Sequence, residues 1–122
     1  MNASLVCAAL LVALSSCSAR SSIEERLVGK WESTERQEDG SMTPIESILM
    51  ADGTFSWGFP SKPRVLTGRW RVDGQDLVMT IETQAPDSGL PELRPEIRNH
   101  IIRVAAHEFV AGDGTTERRW TR

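Results

Sequence analysis

The chain has no tyrosine, and its only two cysteines, Cys7 and Cys17, fall inside the first 17 of its 122 residues. Whatever folds beyond residue 17 therefore has no thiol for catalysis, no disulfide and no cysteine metal site. Charge is missing at the start as well, because no lysine, arginine, aspartate or glutamate precedes Arg20. Long apolar runs are absent: no stretch approaches the roughly 20 residues that a helix needs to cross a hydrocarbon core. Only two histidines occur, His100 and His107, and their spacing does not suit a shared metal. No Gly-x-Ser-x-Gly elbow, phosphate loop or dinucleotide fingerprint appears. The pair His107-Glu108 reads as a turn, and Glu24-Glu25 and Glu92/Glu96 read as solvated charges. The expectation is a protein that is not an enzyme and uses no cofactor or metal. Fourteen basic and 17 acidic side chains, well mixed along the chain, give a net charge of −3. That balance argues against nucleic acid as a partner and offers no polybasic patch for a membrane surface.

What is present begins with an apolar run from Leu5 to Leu14, followed by Ser15, Ser16, Cys17 and Ser18. The length suits the hydrophobic core of a signal peptide, and small residues surround the expected cut. The first four residues lack the positive charge with which export signals usually start. Leu14-Ser15-Ser16-Cys17 resembles the lipobox of bacterial lipoproteins. That resemblance implies a diacylglyceryl thioether on Cys17, removal of residues 1–16, and acylation, commonly with palmitate, of the new amino terminus. Residues 17–22 then form a lipidated tether. At about 3.3 Å per residue it would hold the following domain within about 20 Å of the bilayer. Two or three acyl chains anchor permanently where a single chain binds only marginally. Ser18 is not aspartate, so the sorting rule of enteric-type bacteria implies the periplasmic face of the outer membrane. Two other readings stand beside this one: an ordinary secretory peptide with Cys17 unmodified, and a buried N-terminal helix.

Residues 23–122 read as one domain, large enough for a single core. Ser22 to Glu25 has the spacing of a capping box, and Gly29 limits the helix to about one turn. The hydrophobic period then becomes two. Leu27, Gly29, Trp31 and Ser33 share one face of a first strand, residues 37–44 form a polar loop, and a second strand runs from Ile45 to Ala51. Asp52-Gly53 is a strong hairpin signal. Phe55, Trp57 and Phe59 alternate on the return strand, which Pro60 and Pro63 end. Leu66, Gly68, Trp70 and Val72 line the next, Asp73-Gly74 turns, and Leu77, Met79 and Ile81 follow. Ala85 to Pro95 carries three prolines and a glycine and is expected as a long loop. A strand from Ile97 to Ala105, a short one at Phe109 to Ala111, a turn at Gly112-Asp113-Gly114 and a last strand from Thr115 to Thr121 complete the chain. The expected fold is all-β, with about eight short antiparallel strands in sequential order forming a meander barrel or sandwich.

Leu27-Val28-Gly29-Lys30-Trp31 resembles the Gly-x-Trp opening of lipocalin-like domains, and Gly68-Arg69-Trp70-Arg71-Val72-Asp73-Gly74 with Leu77 is similar to a segment of small bacterial lipocalin-like lipoproteins. The resemblance spans most of residues 23–122. It implies an up-and-down antiparallel barrel or half-barrel, with a C-terminal basic residue packed over the first-strand tryptophan. Arg118, Arg119 and Arg122 are the candidates. Apart from the family, Gly29 before Trp31 and Gly68 before Trp70 each leave room for an indole or a neighbouring backbone.

The candidate ligand-binding residues are Phe55, Trp57, Phe59 and Trp70. A closed barrel of this size is either filled by side chains or keeps room for one small ligand, and filling is the simpler expectation. The leading functional reading is a membrane-anchored envelope lipoprotein that binds a small apolar or amphipathic molecule. The alternative is a protein-interaction module, either an inhibitor of an exported hydrolase or an envelope assembly accessory, with the 85–95 loop as its docking segment.

Overall fold

A computed structural model describes residues 22–86 and 95–122. The signal segment, Cys17 and residues 87–94 of the proline-rich connection lie outside the described residues. One short helix, α1 (Ser22–Leu27), precedes eight strands: β1 (Gly29–Arg36), β2 (Met42–Leu49), β3 (Thr54–Phe59), β4 (Lys62–Asp73), β5 (Asp76–Gln84), β6 (Glu96–Val104), β7 (Glu108–Gly112) and β8 (Glu117–Thr121). Each strand pairs antiparallel with the next, and β8 returns to β1 to close the barrel. The seam is thin. Its register holds one pair, Glu32 with Thr121, and the Ser33 hydroxyl donates to the Arg119 carbonyl at 2.7 Å.

Alternation decides which side chains face inward. In register, Trp31 sits opposite Ser47 and Ser47 opposite Trp57, so these three share the inner face of β1, β2 and β3. By the same rule Phe55, Trp70, Leu77, Met79, Asn99, Ile101, Phe109, Ala111 and Trp120 point inward, while Lys30, Arg71 and Arg98 point out. The outward charges pair with one another. Arg98 meets Asp73, Asp76 and Glu96, and His100 Nδ1 lies 3.2 Å from Asp76 on the same outer face.

The strand bounds correct three expectations. β2 starts at Met42, inside the segment read as loop, and contains Pro44. β3 pairs with β2 only from Glu46 onward, so Pro44 sits where that flank of the strand has no neighbour and its missing N–H costs little. Pro63 does not end a strand either. It lies in β4 ahead of Leu66, where pairing with β5 begins, so it is again at a local edge. β2 stops at Leu49, and residues 50–53 make the turn, with the Gly53 N–H donating to the Met50 carbonyl.

Because the strands alternate in direction, the connections β1–β2, β3–β4, β5–β6 and β7–β8 gather at one end of the barrel. The connections β2–β3, β4–β5 and β6–β7 gather at the other, together with α1 and the C-terminal Arg122. This second end is closed. Leu27, the last residue of α1, is fully buried in the core with Trp31, Ile45, Leu49 and Trp70, and the Glu24 carboxylate accepts the Val72 N–H at 3.0 Å. The Trp31 indole donates to the Leu27 carbonyl at 2.8 Å, and the Trp70 indole to the Met50 carbonyl at 2.9 Å. Arg122 is the basic residue over the first-strand tryptophan, its guanidinium 4.2 Å from the Trp31 ring centroid. The same guanidinium donates to the carbonyls of Val28, Arg26 and Ala106. Gly29 has φ +139, and a Cβ there would come within 2.9 Å of the guanidinium. Space beside Trp31 thus goes to arginine. At Gly68 a Cβ would lie 1.9 Å from the Thr80 carbonyl and 3.0 Å from the Phe55 ring, so that space goes to backbone and to Phe55 rather than to an indole.

Candidate functional site

The barrel interior is not filled. A cavity of about 580 Å³ runs inward from the end opposite α1. Its volume falls in the range of small-molecule sites, about 300–1,000 Å³. The deeper wall is apolar: Leu49, Phe55 and Leu77 from three strands, with Phe109 and Trp120 stacked at 6.0 Å between centroids. Phe109 also meets Trp31 edge-on at 4.7 Å, so the cavity floor is the upper surface of the closed-end core. The expectation of a solid interior fails for a simple reason. The large side chains crowd toward one end, and at mid-depth the inward positions carry the small Ser47 and Ala111.

The mouth is polar and carries both signs. Glu35, Arg36, Asp113, Glu117 and Arg118 all line it. Arg118 stands 3.7 Å from Glu35, bridging β8 and β1, with its guanidinium 5.9 Å from the Trp120 ring centroid. Asp113 is committed to its own turn. Its carboxylate accepts the N–H groups of Thr115 and Thr116 and the Thr115 hydroxyl. Those bonds, the Thr116 N–H first, hold its pKa far below the usual carboxylate range. Asp39 and Asp52 make the same turn with Ser41 and Thr54, and their pKa values are lowered for the same reason.

The four aromatic candidates separate. Phe55 and Trp57 line the cavity, Phe55 near the floor and Trp57 toward the mouth. Phe59 packs edge-on against Trp57 at 5.7 Å but is not part of the lining. Trp70 is buried in the closed-end core with its N–H satisfied, and it does not reach the cavity. Reading residues missed Trp120, Phe109, Ser47 and Asn99. A usable signal was there for two of them: Ser47 between Ile45 and Leu49, and Asn99 between Ile97 and Ile101, are polar residues at inward positions of period-two strands. Among the described residues no three His, Cys, Asp or Glu side chains are placed to hold a metal ion. His107 is exposed in the β6–β7 turn, away from the cavity.

Comparison with known structures agrees with this architecture. A lipocalin-like protein from Bacteroides thetaiotaomicron superimposes with a TM-score of 0.52, at 18% identity over 79% of this chain and 95% of that one. A lipocalin-like protein from Bacteroides uniformis superimposes more loosely, with a TM-score of 0.45 at 14% identity over 80% of this chain and 98% of its own. No protein-family model and no curated protein matches the sequence. The fold is therefore a lipocalin-like, closed, eight-stranded antiparallel barrel.

Proposed function

We propose that this protein is a non-enzymatic lipoprotein of the cell envelope, anchored through Cys17, whose barrel takes up a small apolar or amphipathic molecule. The observation that carries the binding half is the cavity itself: apolar walls, a single polar mouth and a closed floor in a lipocalin-like barrel. The anchoring half rests on the apolar run ending in Leu-Ser-Ser-Cys. The two halves have a geometric consequence. Ser22 begins α1 at the closed end, five residues after Cys17, so a lipid on Cys17 tethers the floor to the bilayer and turns the mouth away from it. The cargo then arrives from the aqueous side, on the periplasmic face of the outer membrane. The alternative, an inhibitor or assembly accessory, would go with a filled barrel and an ordered, apolar loop at residues 85–95; the hollow interior supports the ligand reading, while most of that loop lies outside the described residues.

Two measurements test this reading. The full-length chain, made in a cytoplasm that adds no lipid, is titrated with the neutral apolar probe N-phenyl-1-naphthylamine. Saturable energy transfer from tryptophan, lost in Trp57→Ala while the fold persists, is the expected result; no binding would end the ligand reading. Metabolic labelling with a fatty-acid analogue in the exporting host should mark the wild type and leave Cys17→Ser unmarked. Equal labelling of both would end the anchor reading.

A further inference from the structure

The cavity wall is apolar but not featureless, and donors predominate among its hydrogen-bonding groups. Ser47 is only 5% exposed, yet its hydroxyl bonds to nothing among the described residues. No sealed side-chain polar atom among those residues lacks a partner, so this hydroxyl, lacking one, opens onto the cavity that its residue lines. Asn99 lies on β6, four strands away around an eight-stranded barrel and so on the opposite wall, and its amide is also without a protein partner. The indole N–H groups of Trp57 and Trp120, both in the lining, likewise meet no acceptor, unlike those of Trp31 and Trp70. These groups open onto the cavity and are not sealed in the core, so whatever fills the cavity is what meets their hydrogen-bonding capacity.

Resting on the binding reading above, we propose that the cavity selects a neutral molecule bearing a hydrogen-bond acceptor, such as a ketone, ester or amide carbonyl, held at mid-depth between Ser47 and Asn99. The chemistry of the lining decides this. An indole N–H can only donate, while a hydroxyl and a carboxamide can donate and accept, so donors outnumber acceptors along the wall. One charged group reaches toward the deeper wall, Arg118 over the Trp120 ring, and it is already paired with Glu35; the other ionic groups stay at the mouth. A buried carboxylate would have to displace Glu35 from Arg118, and burying a charge without a partner is costly. A plain hydrocarbon would leave the Ser47 and Asn99 groups desolvated and unsatisfied, which penalises it against a carbonyl compound of the same shape.

The test compares two neutral naphthalene probes on the full-length chain made without lipid. One is N-phenyl-1-naphthylamine, which has no carbonyl; the other is 6-propionyl-2-(dimethylamino)naphthalene, whose ketone shifts its emission to the red when it accepts a hydrogen bond. Ser47→Ala should weaken the ketone probe about three- to tenfold, the usual worth of one hydrogen bond, and move its bound emission to the blue. It should leave the other probe within twofold. Asn99→Leu, with the fold checked by thermal melting, should act in the same direction. If neither probe binds the wild type, the ligand reading fails and this inference falls with it. If both bind and the two substitutions weaken them equally or not at all, the ligand reading stands and the acceptor selectivity is wrong. Tighter binding of the anionic 8-anilinonaphthalene-1-sulfonate, abolished by Arg118→Gln and indifferent to Ser47→Ala, would also overturn it, because recognition would then be by charge at the mouth.

Discussion

The two ends of this barrel use the same residue type for opposite purposes. At the closed end Trp31 and Trp70 are buried, and each indole N–H is bonded to a backbone carbonyl, Leu27 for one and Met50 for the other. Trp57 and Trp120 line the cavity, Trp57 toward the mouth and Trp120 in the deeper wall, and their N–H groups have no protein partner. A satisfied indole belongs to the scaffold. It adds a large apolar area and anchors a turn or helix end through one directed bond. An indole N–H that faces the cavity makes no bond within the scaffold, even where, as in Trp120, the ring packs into the core. Hydrogen-bond satisfaction separates these two pairs where burial does not, since Trp120 is nearly as buried as Trp70.

The largest effect should come from breaking the closed end. Trp31→Ala removes a fully buried indole, its bond to Leu27, its contact with Phe109 and the platform for Arg122. A loss of about 3–5 kcal/mol is expected, and Trp70→Ala should fall in the same range. That approaches the whole stability of a small domain. Denaturant midpoints near wild type for either variant would contradict the assignment of these residues to the scaffold.

Arg122 comes next. Its guanidinium joins α1, the start of β1 and the β6–β7 turn through three carbonyls and covers the Trp31 ring. It lies at the surface, so water takes back part of each bond. Arg122→Ala should cost about 1–3 kcal/mol. Arg122→Lys should recover less than half of that, because an ammonium cannot present the planar fork that reaches separate carbonyls. Full rescue by lysine in a thermal melt would show that charge alone matters there.

The open end should respond in the opposite sense. Trp57→Ala truncates a half-buried side chain at the mouth, so its stability cost should stay below about 1.5 kcal/mol, well under the range for a large aromatic buried in a core. Probe binding should nevertheless be lost. A Trp57 variant as damaged as Trp31→Ala would erase the division between the two halves.

The smallest effect concerns acid. Asp39, Asp52, Asp73, Asp113 and Glu108 all have lowered pKa values in the folded protein, from turn hydrogen bonds in the first, second and fourth, and from arginines in the others. Each binds its proton more weakly when folded than when unfolded. Their contribution is complete above the unfolded carboxylate values near about 4 and fades as pH falls through the lower folded values. Thermal midpoints should therefore be flat from neutral pH down to about 5 and drop below about 4. Asp113→Ala should make that acid drop shallower by lowering the neutral midpoint, because the contribution it removes is present at neutral pH and already lost in acid. An unchanged acid limb would mean the Thr115 and Thr116 bonds are not kept in solution.

Much of the barrel was legible from residues alone because strands write their facing into the sequence. Phe55-Ser56-Trp57 and Leu77-Val78-Met79 alternate with a period of two, and Asp52-Gly53, Asp73-Gly74 and Gly112-Asp113-Gly114 mark turns by their chemistry. The strand starts at Met42 and Lys62 were missed because those segments extend past the core, where no apolar alternation records the pairing. The candidate site was half legible. Phe55 and Trp57 follow from pattern, but nothing in the pattern separates them from Phe59 or Trp70, which share the inward face and lie at other depths.

The sequence by itself determined the approximate strand count, the strand order and most of the inward and outward faces. These depend on neighbours a few residues apart, which local sterics and periodicity record. Only the tertiary structure decided that the barrel closes between β8 and β1, that Arg122 rather than Arg118 or Arg119 covers Trp31, and that the interior is hollow with Ser47 and Asn99 on opposite walls. Each of these sets residues far apart in the chain at particular depths along the barrel axis. Depth depends on the stagger accumulated strand by strand around the closed sheet, including the bulges after Trp57, Thr67 and Ile101. No local period encodes that sum.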